Sequence, residues 1–321
     1  MKLEDIKKVA TIGSGVIGSS WATGFALKGM EVNLYDKFPE ALPVAMDRIK
    51  SNLEQLAANG VLDNAEIPAI LERIHPTTDM KEAVQDVQFV QESVRENYPD
   101  KHSVVQEMEE FLPEDAIYSS STSGLLITDI AKVAKHPERF CGGHPYNPPH
   151  LIPLVEITKG EKTSDETVAL AKAFYTKMGK EPVVLQKEAL GFISNRLQQA
   201  LYREVCCLVM RGVCNIEDVD KAVTFGPGIR WGIMGPNLIF ELGGGAGGLE
   251  GLFNNVGDSV KLWLADMADF KEYPAEWIPM AEAGVREAIK NRPAEIGNTN
   301  ESLKEYRDKM LIGLLKLHGK L

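Results

Sequence analysis

The sequence predicts an α/β domain built on a mostly parallel sheet, followed from about residue 188 by an all-helical domain. Three observations carry this reading. Short β-branched runs alternate with helical patterns through the first half, a glycine-rich turn follows the first run directly, and strand signals stop near Lys187.

Val9–Ile12 (VATI) reads as the first strand, and Ile17, Trp21 and Phe25 then recur every fourth residue, as one buried helix face requires. Val32–Tyr35 (VNLY) is a second strand. The polar, charged segment Pro39–Leu71 has helical periodicity and reads as a helical hairpin inserted between strands. Phe89–Glu92 (FVQE) and Ile117–Ser120 (IYSS) are further strands. Leu154–Ile157 and Pro182–Leu185 complete the set, separated by a helix carrying Leu170, Phe174 and Met178. Strand–helix–strand alternation at this spacing argues for parallel pairing with helices on the sheet faces. Beyond Lys187, the spacing of Ile193, Leu197, Leu201, Val205 and Leu208 marks a long amphipathic helix. Helical character continues through Val260, Leu264 and Met267, then Leu303, Tyr306, Met310, Leu314 and Leu317. The expected domains are 1–187 and 188–321.

Composition narrows the function. Of 321 residues, 35 are Lys or Arg and 46 are Asp or Glu, giving a formal net charge of −11. That balance leaves no basic stripe to displace counterions from a phosphate backbone, so no nucleic-acid partner is expected. The charge-free stretch from Phe140 to Val155 contains four prolines, and no membrane span is expected. Residues 1–10 alternate charges where a signal peptide needs an apolar core. Cys141, Cys206, Cys207 and Cys214 show neither metal-type spacing nor a disulfide framework, which suits reduced thiols in the cytoplasm. The six histidines never fall at i, i+4, so no helical zinc site and no metal are expected.

Gly13–Gly18 (GSGVIG) closes the first strand and opens a helix. Gly13 permits the tight turn, Gly15 lets the backbone approach a pyrophosphate, and Gly18 allows close helix–strand packing. Val16 and Ile17 start the helix, whose N-terminus favours an anion. Asp36 ends the second strand, 18 residues after Gly18, where a carboxylate can accept the ribose hydroxyls of an adenosine. Together these predict a dinucleotide site of Rossmann type. Asp36 would repel a 2′-phosphate, so NAD is expected rather than NADP; Lys37 is a mild contrary signal.

His144 ends FCGGH and enters a proline-stiffened loop, and Glu156 lies twelve residues on in an apolar strand-like run. A carboxylate there wants a partner. On spacing alone the two are a catalytic pair, a structural pair or unrelated. Ser119–Ser123 (SSSTS) follows a strand at the edge where α/β sheets bind ligands, yet helix capping explains at least one hydroxyl equally well. Asn195 opens the helical domain and reads as readily as surface polarity.

Taken together, GSGVIG with Asp36, QESVREN (Gln91–Asn97), SSSTSGL, GGHPYNPPHLIPLVEI and GFISNRL resemble the 3-hydroxyacyl-CoA dehydrogenase superfamily in order and spacing, over roughly residues 5–240. The resemblance implies a Rossmann-like N-terminal domain, a helical C-terminal domain that forms a homodimer, and NAD-linked oxidation of a 3-hydroxy group. It places Ser123, His144 and Asn195 at catalytic positions, with Glu156 as partner of the histidine, and Glu92 and Asn97 at the nicotinamide end. Gly226–Pro236 departs from the acyl-CoA type. Its Arg230–Trp231 pair is similar to the lambda-crystallin, L-gulonate 3-dehydrogenase and L-carnitine dehydrogenase branch, which implies a small free hydroxy acid with Arg230 clamping its carboxylate and Trp231 beside it. From Asp47 to Arg73 the charges sum to −2, a poor surface for coenzyme A phosphates. Gly243–Gly251 is expected to be a flexible loop or a place of close approach. The alternatives are a 3-hydroxyacyl-CoA substrate and an NAD-binding protein without catalysis.

Overall fold

The computed structural model describes residues 1–321, which form two compact units, Met1–Asn195 with Lys320–Leu321 and Arg196–Gly319. In the first unit, eight strands form one sheet: β1 (Lys8–Ile12), β2 (Glu31–Tyr35), β3 (Ile74–Thr77), β4 (Phe89–Glu92), β5 (Ile117–Ser120), β6 (Phe140–Pro145), β7 (Leu154–Lys159) and β8 (Glu181–Val184). Their order is β3-β2-β1-β4-β5-β6-β7-β8. All neighbours pair in parallel except β6 and β7. Strand order reverses between β1 and β4, and the crevice beyond their carboxyl ends is where such sheets bind ligands.

Helices cover both sheet faces. On one lie α1 (Val16–Leu27), α2 (Ala41–Ala58), α3 (Ile67–Leu71) and, much later in the chain, α7 (Asp165–Lys177). Trp21 and Phe25 stack at 5.1 Å, and Phe174 meets Phe25 at 5.7 Å and Phe89 of the sheet at 4.3 Å. The α1 face read from the sequence is therefore the one buried. On the other face, α4 (Met80–Val84), α5 (Tyr98–Met108) and α6 (Ile127–Ile130) pack Met80, Val84, Val105, Met108 and Ile127 against Val90 and Tyr118.

Two strands escaped the sequence reading, for different reasons. β3 (IHPT) is short, carries Pro76 and sits at the sheet edge, where a missing N–H is tolerated. The segment read as an inserted hairpin is thus the crossover from β2 to β3, with α2 and α3 in it. β6 contains Gly142 and Gly143, which weaken any strand pattern. A Cβ at Gly142 would meet Thr158 Oγ1 at 2.3 Å, and one at Gly143 would meet Tyr175 Oη. The glycines are there because neighbouring polar side chains crowd the strand.

The second unit is helical throughout: α8 (Ser194–Met210, which begins at the boundary), α9 (Ile216–Val223), α10 (Ile229–Trp231), α11 (Pro236–Gly243), α12 (Gly248–Asp266), α13 (Trp277–Asn291) and α14 (Asn300–Leu317). Cys206, Ile216, Trp277 and Ala281 form a small buried cluster. The expectation of a flexible loop at Gly243–Gly251 does not hold. These glycines end α11, make a single tight turn at Gly245–Gly247 and start α12, with Gly245 and Gly248 at φ +57° and +55°. No helix is long and apolar enough to cross a membrane. The longer charge-free stretch Val9–Leu27 is divided between β1 and α1 by its glycine turn.

Candidate active site

The glycine turn meets the demands of a dinucleotide cradle. Gly13 sits at φ +95°, and a Cβ there would strike Ser93 O at 2.7 Å. A Cβ on Gly18 would lie 1.8 Å from Gly13 O, so α1 could not pack on β1. Gly15 differs: a Cβ there meets nothing within 4 Å, leaving open room above the backbone where Val16 and Ile17 begin the helix. A cavity of about 270 Å³ adjoins the turn, lined by Gly13, Gly15, Tyr35, Asp36, Ser93 and Glu107 among others. Asp36 Oδ2 accepts from the Ser14 amide at 2.9 Å and its hydroxyl at 2.7 Å. Burial, with the nearby Glu107, Asp36 and Asp79 carboxylates, pushes the Tyr35 phenol above its ordinary pKa. Lys37 and Arg95 line the same cavity, so its wall carries both signs, and Asp36 is the carboxylate bonded to the glycine turn. The residues fit a dinucleotide.

At the carboxyl ends of β4 and β5 the structure redistributes the expected roles. Glu92 is fully buried and does not face the crevice. Its carboxylate takes Lys101 Nζ at 2.8 and 3.0 Å, the Tyr118 hydroxyl at 2.8 Å, the Ser120 hydroxyl at 2.6 Å and the Val94 amide at 2.7 Å. Asn97 caps α5, accepting from the Asp100 amide at 2.9 Å. The acid that reaches the surface of the crevice is Glu96. Its Oε1 accepts from the Thr122 hydroxyl at 2.7 Å, the Ser123 amide at 2.7 Å and the Ser123 hydroxyl at 3.1 Å. Burial pushes the Glu96 carboxyl up, but these bonds and the Lys101 charge outweigh it and leave it below its ordinary pKa. Sequence reasoning missed Glu96, four residues past the acid it chose in the same motif.

The hydroxyl run is similarly divided. Ser119 pairs with Tyr175 Oη at 2.6 Å, Ser120 with Glu92, and Ser121 with Ser93 at 2.9 Å. Thr122 Oγ1 accepts from the Leu125 amide at 2.9 Å, so the capping role falls to Thr122. Ser123 is exposed, and Asn195 Nδ2 donates to its carbonyl at 3.0 Å. Tyr146 donates to Asn195 Oδ1 at 3.4 Å.

His144 and Glu156 are opposite residues in the antiparallel β6–β7 ladder, which is how twelve intervening residues bring them together. His144 Nδ1 and Glu156 Oε2 are 2.9 Å apart, and both residues are buried. Glu156 Oε1 also accepts the Ile193 and Ser194 amides, each at 2.9 Å, and Oε2 accepts the Ser194 hydroxyl. Burial pushes this carboxyl up, yet the bonds from His144, Ser194 and Ile193 hold it below its ordinary pKa. With Nδ1 committed to Glu156, Nε2 is the nitrogen left to exchange a proton with a ligand. Tyr146 and Phe192 stand edge-on to the imidazole at 5.9 and 5.4 Å.

This geometry agrees with the comparisons. The model of the 3-hydroxyacyl-CoA dehydrogenase NAD binding domain matches residues 8–189, and that of the family's C-terminal domain matches residues 191–276. The chain belongs to the 3-hydroxyacyl-CoA dehydrogenase family. It is an NAD-dependent dehydrogenase of that family. An L-carnitine dehydrogenase of Streptomyces coelicolor is 36% identical over 99% of this chain and 96% of its own. Among solved structures, 5-formyl-3-hydroxy-2-methylpyridine 4-carboxylic acid 5-dehydrogenase, an NAD+ dependent dismutase, is 30% identical with a TM-score of 0.79, covering 98% of this chain and 97% of that one. Escherichia coli 3-hydroxybutyryl-CoA dehydrogenase is 32% identical with a TM-score of 0.64, over 68% of this chain and 46% of that one.

Arg230 and Trp231 lie on α10 of the second unit. α10 continues from α9 through a widened helical turn, Thr224–Gly228, kinked at Gly226. The segment read as an inserted turn is therefore largely helical. Arg230 is exposed and forms no ion pair, which removes the alternative of an intradomain salt bridge.

Proposed function

We propose that this enzyme oxidises the 3-hydroxy group of a small free hydroxy acid, L-carnitine or a close analogue, with His144 as general base and Glu156 as its partner. The observation that carries the chemistry is the buried cross-strand pair at 2.9 Å, with Nε2 left over for the substrate. His144 Nε2 takes the hydroxyl proton as the adjacent carbon loses its hydride; imidazole suits this because its pKa lies near neutral pH. Glu156 holds the Nδ1 proton in place and stabilises the imidazolium that forms. Ser123 and Asn195 hydrogen-bond the reacting oxygen. NAD, when bound, supplies the hydride acceptor; Gly13, Gly15, Gly18, Asp36 and the first turn of α1 would hold it.

Full-length similarity to L-carnitine dehydrogenases supports a free acid, and the exposed, unpaired Arg230 is our candidate for its carboxylate, with Trp231 alongside. For quaternary structure we propose a homodimer through the helical unit. Leu197, Leu201, Ile229, Leu238, Phe253 and Trp263 all lie exposed on its helices and supply apolar side chains for such an interface. The four free cysteines suit a cytoplasmic setting.

The test of the chemistry is a pair of single variants and their double. His144→Ala is expected to lower kcat about 10²–10⁴-fold while NADH still binds. Because Glu156 acts only through His144, adding Glu156→Gln to His144→Ala should cost little more. Multiplicative losses would refute the pairing.

A further inference from the structure

We infer that Ser194, with the left-handed turn at Gly191–Phe192, is a positioning residue that clamps the Glu156 carboxylate so that the His144 proton stays on Nδ1. The inference rests on the role proposed above for the His144–Glu156 pair, and nothing in the sequence motif singled Ser194 out.

The backbone at this turn is strained. Gly191 sits at φ +71° and Phe192 at φ +51°, and Phe192 is the one non-glycine residue of the chain with positive φ. A bulky aromatic residue reaches the left-handed region only when its surroundings hold it there. The strain has a use. The next two amides, Ile193 and Ser194, both point at Glu156 Oε1, each at 2.9 Å, making an anion-binding nest of successive N–H groups. The Ser194 hydroxyl then donates to Oε2, the oxygen that meets His144 Nδ1. Two donors on each oxygen fill the carboxylate's acceptor sites and leave it one orientation.

The same turn also walls the imidazole. Phe192 is 2% exposed, and its ring stands edge-on to His144 at 5.4 Å with an interplanar angle of 64°. Tyr146, on the chain just past His144, is the other titratable side chain against that ring. One strained residue thus aims two amides at the carboxylate and places its own ring against the base. Removing the Ser194 hydroxyl leaves Oε2 with His144 as its one donor and frees the carboxylate to turn, so the imidazole proton is no longer confined to Nδ1.

The test needs no substrate. In ¹⁵N-histidine-labelled full-length protein, the His144 ring nitrogens are identified by their loss in His144→Gln, and their shifts report which of the two carries the proton. Ser194→Ala is expected to move the tautomer ratio toward Nε2–H by about tenfold, the size of one lost charge-assisted hydrogen bond. Ser194→Thr, which restores a hydroxyl, should return it. The kcat for oxidation should fall as the Nε2–H form grows, because that form cannot accept the substrate proton, while NADH affinity stays constant. Phe192→Gly keeps the left-handed backbone and removes only the ring, so it should keep the wild-type tautomer but turn over more slowly. A wild-type tautomer ratio of His144 in Ser194→Ala would overturn the clamp, and wild-type turnover in Phe192→Gly would overturn the part given to the ring. Full turnover in His144→Gln would instead refute the proposed general base, whatever the tautomer ratios show.

Discussion

Gly15 and Gly18 lie three residues apart in one turn, yet the structure assigns them opposite consequences. At Gly18 an added methyl carbon would lie 1.8 Å from Gly13 O and 2.9 Å from Gly13 C. The obstacle is backbone, so α1 must lift from β1. Overpacking of this kind costs about 1–3 kcal/mol. For a domain of this size that converts to a fall in Tm of about 2–12 °C. At Gly15 the same methyl meets nothing, and the residue's φ of −61° suits any L-residue. Gly15→Ala should therefore change stability by no more than about 0.5 kcal/mol. Its cost appears only with cofactor, because the methyl occupies the space through which a pyrophosphate approaches the backbone. A weakening of NADH binding of tenfold or more, about 1.4 kcal/mol, is expected. Calorimetric melting of the apoprotein and NADH titration by fluorescence separate the two. NADH binding at wild-type strength in Gly15→Ala, or wild-type stability in Gly18→Ala, would refute the reading of this turn.

Asp36→Ala removes an acceptor of the Ser14 amide and hydroxyl and one of the cavity's carboxylates, so kcat/KM should fall for NAD and rise relatively for NADP; steady-state kinetics with both cofactors checks this. Arg230→Met should depress kcat/KM for a free hydroxy acid by about 2–5 kcal/mol of lost carboxylate contact, with NADH affinity unchanged and only partial recovery in Arg230→Lys. Cys141 is fully buried, and burial pushes its thiol up to about 12; it should resist thiol reagents in the native protein and react only on unfolding, as mass mapping after timed alkylation would show.

The sequence made some of this architecture plain and hid the rest for physical reasons. β1, β2, β4 and β5 are buried runs rich in β-branched and aromatic residues, so composition betrays them. β6 is hidden because its two central glycines answer to contacts with Thr158 and Tyr175, residues remote in sequence. The His144–Glu156 pair was suggested by residue type, but only the antiparallel register shows that the two face each other. Glu92 and Glu96 look alike in the motif. Which of them is buried against Lys101 and which meets Ser123 depends on where β4 stops and α5 starts. Ser194 carried no signal at all, since its hydroxyl matters only because a left-handed turn aims it at a carboxylate on another element.

Whether the His144–Glu156 pair serves oxidation of a free 3-hydroxy acid by NAD is decided by initial rates of NADH formation, measured in parallel with L-carnitine, L-gulonate, 3-hydroxybutyrate and 3-hydroxybutyryl-CoA. The highest kcat/KM is expected for a free acid, L-carnitine first among them, with near-complete loss in His144→Ala. A much higher kcat/KM for 3-hydroxybutyryl-CoA than for every free acid, or free-acid turnover that survives His144→Ala, would contradict this reading.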